Sequence, residues 1–144
     1  MREFIFYSEK ARTSGNFDDL MKAGRIDIAI HSIIAAFFLS NKLRDDVKLH
    51  MIFNGPPDAP KHLEFVSNPE MPISKKDVAK LIKIMLYKCK KGIKTKVFPG
   101  CFIEKKSLKN LIKDLNKKVY VLSKKGTDIR KKELEKDCVF LLGD

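Results

Sequence analysis

The segment from Ile28 to Leu39 constrains the fold most strongly, because nearly all of its residues are apolar. On an α-helix they leave no wide polar face for water, which is typical of a helix that lies between other elements. We therefore predict a core helix from Ile26 to Asn41. Arg25 and Asp27 stand at its start, where a buried core does not by itself require charged residues.

Strand patterns alternate with helix patterns over the rest of the chain. Val47 to Phe53 predicts a central strand, and the alternation from Lys61 to Val66 predicts an edge strand. Helices are predicted to begin after Ser74 and Ser107, whose hydroxyls can cap free N–H groups of a first helical turn. Further strands are predicted over Phe4 to Tyr7, Val97 to Ile103, Val119 to Leu122 and Cys138 to Leu142.

This order of elements predicts the fold class. Strands that alternate with helices favour an α/β fold with a mostly parallel sheet and helices on both faces. With 144 residues, 44% of them apolar, the chain can bury one core, so we predict a single domain over residues 1–144. Because the last predicted strand is followed by nothing that would cover it, we expect that a C-terminal portion lies outside this sequence.

The composition favours a polyanionic partner. Thirty Lys and Arg residues against eighteen Asp and Glu give a formal net charge of +12. Such a charge attracts nucleic acid and, if it lies on one face, neutralises phosphates with release of counterions. The alternative is a lysine-rich solvated surface, which the even scatter of lysines from Lys75 onward also fits.

The cysteines and histidines do not follow a metal-binding pattern. They are Cys89, Cys101, Cys138, His31, His50 and His62. Zinc ligands usually occur as closely spaced pairs in the sequence, so we predict no metal site. The cysteines are predicted to be buried free thiols. No run of about 18 uncharged apolar residues occurs, which predicts a soluble, cytoplasmic protein.

Short motifs along the whole chain carry a resemblance to a known family. They are Met1-Arg2-Glu3-Phe4-Ile5, Gly24-Arg25-Ile26-Asp27, Phe38-Leu39-Ser40, Leu43-Arg44-Asp45-Asp46-Val47, Asn54-Gly55-Pro56-Pro57, Pro99-Gly100 before Lys105-Lys106, Asp128-Ile129-Arg130 and Val139-Phe140-Leu141-Leu142-Gly143-Asp144. In these motifs the chain resembles the archaeal TrmY family of SPOUT-class methyltransferases. The likeness covers the chain in order, which is more specific than any single motif.

The resemblance implies that S-adenosylmethionine is used to methylate N1 of pseudouridine at position 54 in the T loop of tRNA. It also implies a homodimer and an α/β-knot fold, whose trefoil knot is completed by a segment beyond the Leu-Gly-Asp turn. The knot is therefore expected to be incomplete in this chain. The alternatives are a Nep-type ribosomal RNA pseudouridine N1-methyltransferase, which shares an Arg-x-Asp motif, and a non-catalytic RNA-binding or dimerisation fragment.

Site residues follow from the same resemblance and from the chemistry of the acceptor. N1 of pseudouridine carries a proton that must leave, and Asp27 is the candidate to accept it or to orient the base. The alternative is that Asp27 pairs with an arginine or favours the first turn of the helix. Arg25 and Arg44 are the candidate RNA contacts, because guanidinium groups bind phosphates and stack on bases. Their alternative is surface ion pairing with nearby aspartates.

The end of the last strand is the candidate cofactor site. Leu142, Gly143 and Asp144 are expected to form one wall of the S-adenosylmethionine pocket through backbone groups, since ligands of parallel sheets bind beyond the carboxyl ends of the strands. Asn54 and Gly55 end another strand; the first expectation for them is a turn imposed by Pro56-Pro57, and a place beside the same cleft is the other. The alternative for the segment from Leu142 to Asp144 is a plain turn after a strand.

Overall fold

A computed structural model of the chain describes residues 2–15, 22, 24–39, 42–43, 47–72, 74–121 and 138–143. The helices within these residues are α1 (Ile26–Phe37), α2 (Lys75–Lys88) and α3 (Leu108–Leu115). The nine strands in this part of the chain are β1 (Arg2–Ser8), β2 (Phe38–Leu39), β3 (Lys42–Leu43), β4 (Val47–Phe53), β5 (Lys61–Val66), β6 (Thr95–Phe98), β7 (Cys101–Glu104), β8 (Lys118–Val121) and β9 (Cys138–Gly143).

Seven strands form one mixed sheet in the order β6-β7-β5-β4-β1-β9-β8. β8, β9, β1 and β4 pair in parallel, whereas β5, β7 and β6 continue the sheet by antiparallel pairing. The core helices α1 and α2 cover one face of the sheet, and α3 packs on the other. The predicted α/β class with helices on both faces is confirmed. In the parallel part of the sheet, β1 lies between β9 and β4.

Helix α1 is shorter than predicted. It ends at Phe37 rather than at Asn41, and β2 and β3 then form a two-stranded antiparallel ribbon. The helix ends inside the apolar run because Phe38 and Leu39 pair with Leu43 and Lys42 of β3, and aromatic residues such as Phe38 favour strands.

Helix α1 also buries one face only. Its buried residues recur at helical spacing and are Ile26, Ala29, Ile30, Ile33 and Phe37. His31 and Ala35 are exposed, and Ile34 is partly buried. The expectation of a helix enclosed on nearly every side is wrong, because among the described residues α1 packs against the sheet and α2 and its outer face lacks a further layer.

Strand β5 is not an edge strand as predicted. It lies between β4 and β7 and pairs antiparallel with both. Its polar residues misled the sequence interpretation, since Lys61, His62 and Glu64 are 6%, 1% and 6% exposed. Buried polar groups are tolerated when they are hydrogen-bonded, and these three have partners on neighbouring elements. The edge on this side of the sheet is β6.

The caps of α2 and α3 agree with the sequence. Ser74 and Ser107 each accept a hydrogen bond from the backbone N–H three residues later, at 3.1 and 3.2 Å. α2 ends at Lys88, however, and Gly92 belongs to the turn that follows rather than to the helix end. The three cysteines form no disulfide with one another, and only Cys101 is buried. In the described part of the chain, the helices are too short or too polar to cross a membrane.

The sheet face beneath α3 combines an apolar half with a polar half. The apolar half contains Ile5, Ile52, Leu111 and Val139, and the polar half begins at Glu3 on β1. Burial alone would raise the pKa of Glu3. Hydrogen bonds to His50 and Lys117 outweigh this effect and lower the pKa to about 2, so the carboxylate stays ionised in the folded protein.

The single buried face of α1 can be tested with two neighbouring isoleucines. Ile33→Ala removes a fully buried side chain and should lower the free energy of unfolding by about 2–5 kcal/mol. Ile34→Ala is the matched control, because Ile34 is only partly buried, and it should cost less than half as much. Urea denaturation measures both values. Equal losses would contradict the described packing of α1.

Candidate functional site

The carboxyl ends of β1, β4 and β9 meet at one edge of the sheet. Ser8 at the end of β1 stands beside Phe53, and Tyr7 stands beside Gly143. We call this region the carboxyl edge: the ends of these strands with residues 9–15, 24–27 and 54–58. Open parallel sheets bind ligands at such edges, because loop backbone beyond the strands is available for hydrogen bonding.

Thr13 ties the two loops of the carboxyl edge together. It is fully buried, and its backbone N–H donates to Pro56 O at 3.1 Å. Its hydroxyl donates to Gly55 O at 3.0 Å and accepts from the Asp58 N–H at 2.6 Å. The loop after β1 and the loop after β4 are thus held as one unit.

Lys61 also joins the loop after β1 to the loop after β4. Its ammonium group is buried, donates to Thr13 O at 2.5 Å and lies 3.7 Å from Asp58 Oδ2. Asp58 also accepts from Lys105, and this hydrogen bond is the main reason that the pKa of Asp58 lies below its usual value. Sequence reasoning missed Thr13, Lys61 and Asp58 as positioning residues. The turn-rich composition of residues 13–16 was the one signal that the loop has a special role.

Gly24 and Arg25 turn the chain into α1 through two consecutive left-handed residues, with φ of 73° and 62°. A Cβ on Gly24 would lie 1.7 Å from Lys10 O, so the chain passes directly against the loop after β1. Arg25 is not a glycine, and a left-handed conformation costs such a residue about 1–2 kcal/mol. Backbone strain of this kind is concentrated at functional sites, which directs attention to the Arg25 side chain.

Arg25 and Asp27 form a two-pronged ion pair. Arg25 Nε lies 3.0 Å from Asp27 Oδ1, and Nη2 lies 3.0 Å from Oδ2. The Arg25 side chain is 49% exposed and that of Asp27 is 14% exposed. The hydrogen bonds from Arg25 are the largest cause of a lowered pKa at Asp27, so its carboxylate is ionised at neutral pH. The pairing that the sequence allowed as the structural alternative for Asp27 is therefore present.

Two cavities flank α1. A cavity of about 230 Å³ lies at its N-terminus and is lined by Glu9, Lys10, Gly24, Arg25 and Ile28. A second cavity of about 280 Å³ is mainly apolar and is lined by Phe4, Ser32, Ala35, Ala36, Leu49 and Leu142. The first is lined in part by charged residues and contains Arg25 of the Arg25–Asp27 pair, whereas the second lies between the middle of the helix and β9.

The structure places the predicted site residues that it describes at the carboxyl edge, although Tyr7, which Asn54 contacts, packs on the α3 face of the sheet. Leu142 packs against the same core cluster as Ile28, so it shares a face with the start of α1. Gly143 is exposed at the strand end, and the position of its missing Cβ is 3.4 Å from Tyr7 O. Asn54 Nδ2 donates to the Tyr7 hydroxyl at 3.2 Å, which places it at this edge as well. The predicted residues Arg44 and Asp144 lie outside the described residues.

The sequence of the whole chain can be compared with the sequences of known proteins. A family profile described as "Putative SAM-dependent RNA methyltransferase" matches residues 1–144. The chain belongs to this family. The match confirms the resemblance that the motifs indicated, and it covers every residue placed at the carboxyl edge.

Curated archaeal relatives of this family member carry the name "tRNA (pseudouridine(54)-N(1))-methyltransferase". The relative from Methanococcoides burtonii is 35% identical over 157 aligned residues, that from Methanococcus aeolicus 34% over 158, and that from Pyrococcus abyssi 33% over 159. Each alignment covers 100% of the chain and 76% or 78% of the relative. These names agree with the tRNA interpretation of the motifs and not with the ribosomal alternative.

The close approach of Gly24 to the loop after β1 can be tested against a matched glycine. Gly24→Ala and Gly92→Ala both place Ala at a φ near +75°, but a Cβ at Gly92 meets no atom within 4 Å. Gly92→Ala should therefore cost only about 1 kcal/mol. Gly24→Ala should lower the free energy of unfolding by about 1–3 kcal/mol more, because the methyl group displaces backbone. Similar losses in chemical denaturation would show that Gly24 does not hold the loop.

Proposed function

We propose that this chain transfers a methyl group from S-adenosylmethionine to N1 of pseudouridine 54 in the T loop of tRNA. The observation that carries the proposal is the likeness, over the entire chain, to archaeal relatives named for this reaction. The net charge of +12 supports a polyanionic substrate. The proposal includes the homodimer that the resemblance implies and the cytoplasmic location that was predicted from the lack of a long apolar run.

Asp27 is the proposed acceptor of the N1 proton. An ionised carboxylate can accept a hydrogen bond from the N1–H group and so orient the base, and it can take the proton as the nitrogen becomes a nucleophile. Arg25 holds both oxygens of Asp27 at 3.0 Å, which fixes the direction of the carboxylate. The same contact lowers the pKa of Asp27. The contribution of Asp27 to the rate of methyl transfer therefore depends more on the orientation of its carboxylate than on its basicity.

Arg25 is the proposed phosphate or base contact. Its pairing with Asp27 uses two of the five donors of the guanidinium group, and the side chain is 49% exposed. The remaining donors can bind a phosphate oxygen, and the planar group can stack on a base of the loop. Arg44 is proposed as a second RNA contact from the sequence motif in which it lies.

Leu142, Gly143 and Asp144 are proposed to hold the cofactor. The cavity beside Leu142 fits a part of it, because about 280 Å³ with a mainly apolar lining is close to the lower end of known small-molecule pockets. Leu142 would contact an apolar surface there, and the exposed backbone of Gly143 can hydrogen-bond polar groups. When bound, S-adenosylmethionine supplies the methyl group of the reaction.

The proposal is tested with the chain itself, labelled S-adenosylmethionine and two tRNA transcripts that differ only in uridine or pseudouridine at position 54. Transfer to the pseudouridine transcript alone is expected, and mass spectrometry of the nucleosides locates the methyl group. A ribosomal RNA fragment that contains pseudouridine should remain unmodified. Transfer to the ribosomal fragment, or to neither RNA, would overturn the proposed function.

In this assay Asp27→Asn should reduce the rate by about 100-fold or more, because an amide cannot take the proton and loses the two-oxygen contact with Arg25 that orients the carboxylate. The melting temperature should change by only a few degrees, since partly exposed ion pairs contribute about 1 kcal/mol or less. Asp114→Asn is the matched control: Asp114 also pairs with a cation, Lys106 at 2.7 Å, but on α3. A full rate in Asp27→Asn, or a lost melting transition, would assign Asp27 a structural role.

Arg25→Ala tests the RNA contact. Loss of one phosphate contact should weaken tRNA binding at every salt concentration and reduce the slope of log affinity against log salt by about 1. Lys109→Ala removes an exposed charge from α3 and should leave the slope close to that of the parent. Filter binding over a salt series measures both variants. An unchanged slope in Arg25→Ala would remove Arg25 from the RNA interface.

A further inference from the structure

The polar half of the sheet face beneath α3 contains two histidines whose ring nitrogens approach each other. His50 on β4 and His62 on β5 lie diagonally across this antiparallel pair, and we call them the histidine pair. Their ring centroids are 5.0 Å apart. Nδ1 of His50 and Nε2 of His62 are separated by 2.8 Å, and each residue is 1% exposed. The two nitrogens therefore approach each other in a space without access to bulk water.

Carboxylates occupy the outer nitrogens of both rings. Nε2 of His50 contacts Glu3 on β1, and Nδ1 of His62 lies 2.8 Å from Glu104 on β7. An ionised carboxylate only accepts hydrogen bonds, so each outer nitrogen must carry its proton. In two neutral imidazoles the inner nitrogens would then be unprotonated, and their lone pairs would point at each other. This arrangement requires a positive centre between the two rings.

A third donor lies next to the histidine pair. Glu64 faces His50 directly across β4 and β5, and its Oε1 is 3.7 Å from His50 Nδ1. One ligand atom from each of the three residues falls within 4.8 Å of the others, and all three residues are buried. Two imidazole nitrogens and one carboxylate oxygen form a donor set that suits Zn²⁺.

We infer that the histidine pair and Glu64 form a binding site for a divalent transition metal, with Zn²⁺ as the expected ion. Tetrahedral Zn²⁺ with Zn–N bonds of about 2.0–2.1 Å sets two nitrogens about 3.3 Å apart. The nitrogens of the pair, now 2.8 Å apart, need to separate by about 0.5 Å. Three protein ligands leave the fourth position for water.

The surroundings match those of metal-bound histidines. Such histidines almost always donate their outer N–H to a carboxylate or carbonyl, which fixes the tautomer and the ring direction. Glu3 and Glu104 are placed for this role on the two sides of the site. Lys94 holds the other oxygen of Glu64 at 3.0 Å, so Oε1 can turn to the metal while the carboxylate stays anchored.

One further contact must change on binding. Lys48 Nζ is 3.5 Å from Glu64 Oε1, and its side chain is 29% exposed, so it can withdraw into solvent when the metal takes this oxygen. The site would then join the interior strands β4 and β5 and, through the outer carboxylates, β1 and β7. The sequence prediction of no metal site depended on the absence of closely spaced ligands, and residues 50 and 62 become neighbours only through strand pairing.

The test uses the whole chain after chelator treatment. Calorimetric titration with Zn²⁺ alone should show one ion per chain, and Zn²⁺ should raise the melting temperature. Co²⁺ should give the intense visible absorption of a four-coordinate site with nitrogen ligands. The exposed His31 on α1 supplies the matched control, because His31→Gln should bind Zn²⁺ as the parent does.

Variants of the site separate binding from folding. His62→Gln should abolish stoichiometric uptake. If that variant does not fold, Glu104→Gln decides, because loss of an outer carboxylate should weaken Zn²⁺ binding by about 10–100-fold and leave both histidines in place. No stoichiometric uptake by the parent chain would overturn the inference and assign a shared proton to the pair. Equal affinity in Glu104→Gln and the parent would also overturn it.

Discussion

The position of β1 between two parallel neighbours is the constraint on which the rest of the structure depends. β1 pairs with β4 over residues 2–8 and with β9 over residues 3–7. Alternate residues of a strand point to opposite faces, so a shift by one residue would exchange Phe4 and Phe6 with Glu3 and Ile5. Such a shift would put a carboxylate under α1, and this cost fixes the register. The fixed register in turn aligns the strand ends that form the carboxyl edge.

The two faces of the sheet have different chemistry, and each supports a different part of the molecule. On the face under α1 and α2 the buried side chains are almost all apolar, and this packing positions the start of α1 beside the carboxyl edge. On the other face the row from Glu3 to Glu104 crosses four strands with polar contacts. Directional hydrogen bonds specify which strands are neighbours, whereas apolar packing supplies most of the stability.

At the carboxyl edge, contacts from side chains and from the Gly24 backbone hold the loops in place. Thr13 and Lys61 join the loops after β1 and β4, and Gly24 lies against the first of them. This support allows Arg25 to keep a left-handed conformation in which it faces Asp27. A rigid arrangement reduces the entropy lost when a substrate is positioned, and that benefit can offset the strain at Arg25.

Much of the fold could be predicted from local patterns in the sequence. The serine caps of α2 and α3 and the positions of β4, β8 and β9 along the chain agree closely with the structure because each depends on residues close in sequence. The edge assignment of β5 was wrong because its buried polar residues resemble a solvated face until their partners are known. The positioning roles of Thr13 and Lys61 were missed for the same reason, since their contacts span more than 40 residues.

The sequence by itself determined the α/β class, the caps, the positive charge and, through its motifs, the family. Only the tertiary structure decided that Thr13 contacts Gly55, that Leu142 shares a face with α1 and that His50 meets His62. The physical reason is that propensity and periodicity act over a few residues. Ion pairs, cavities and facing rings are set instead by strand order and register, which bring distant residues within a few ångströms.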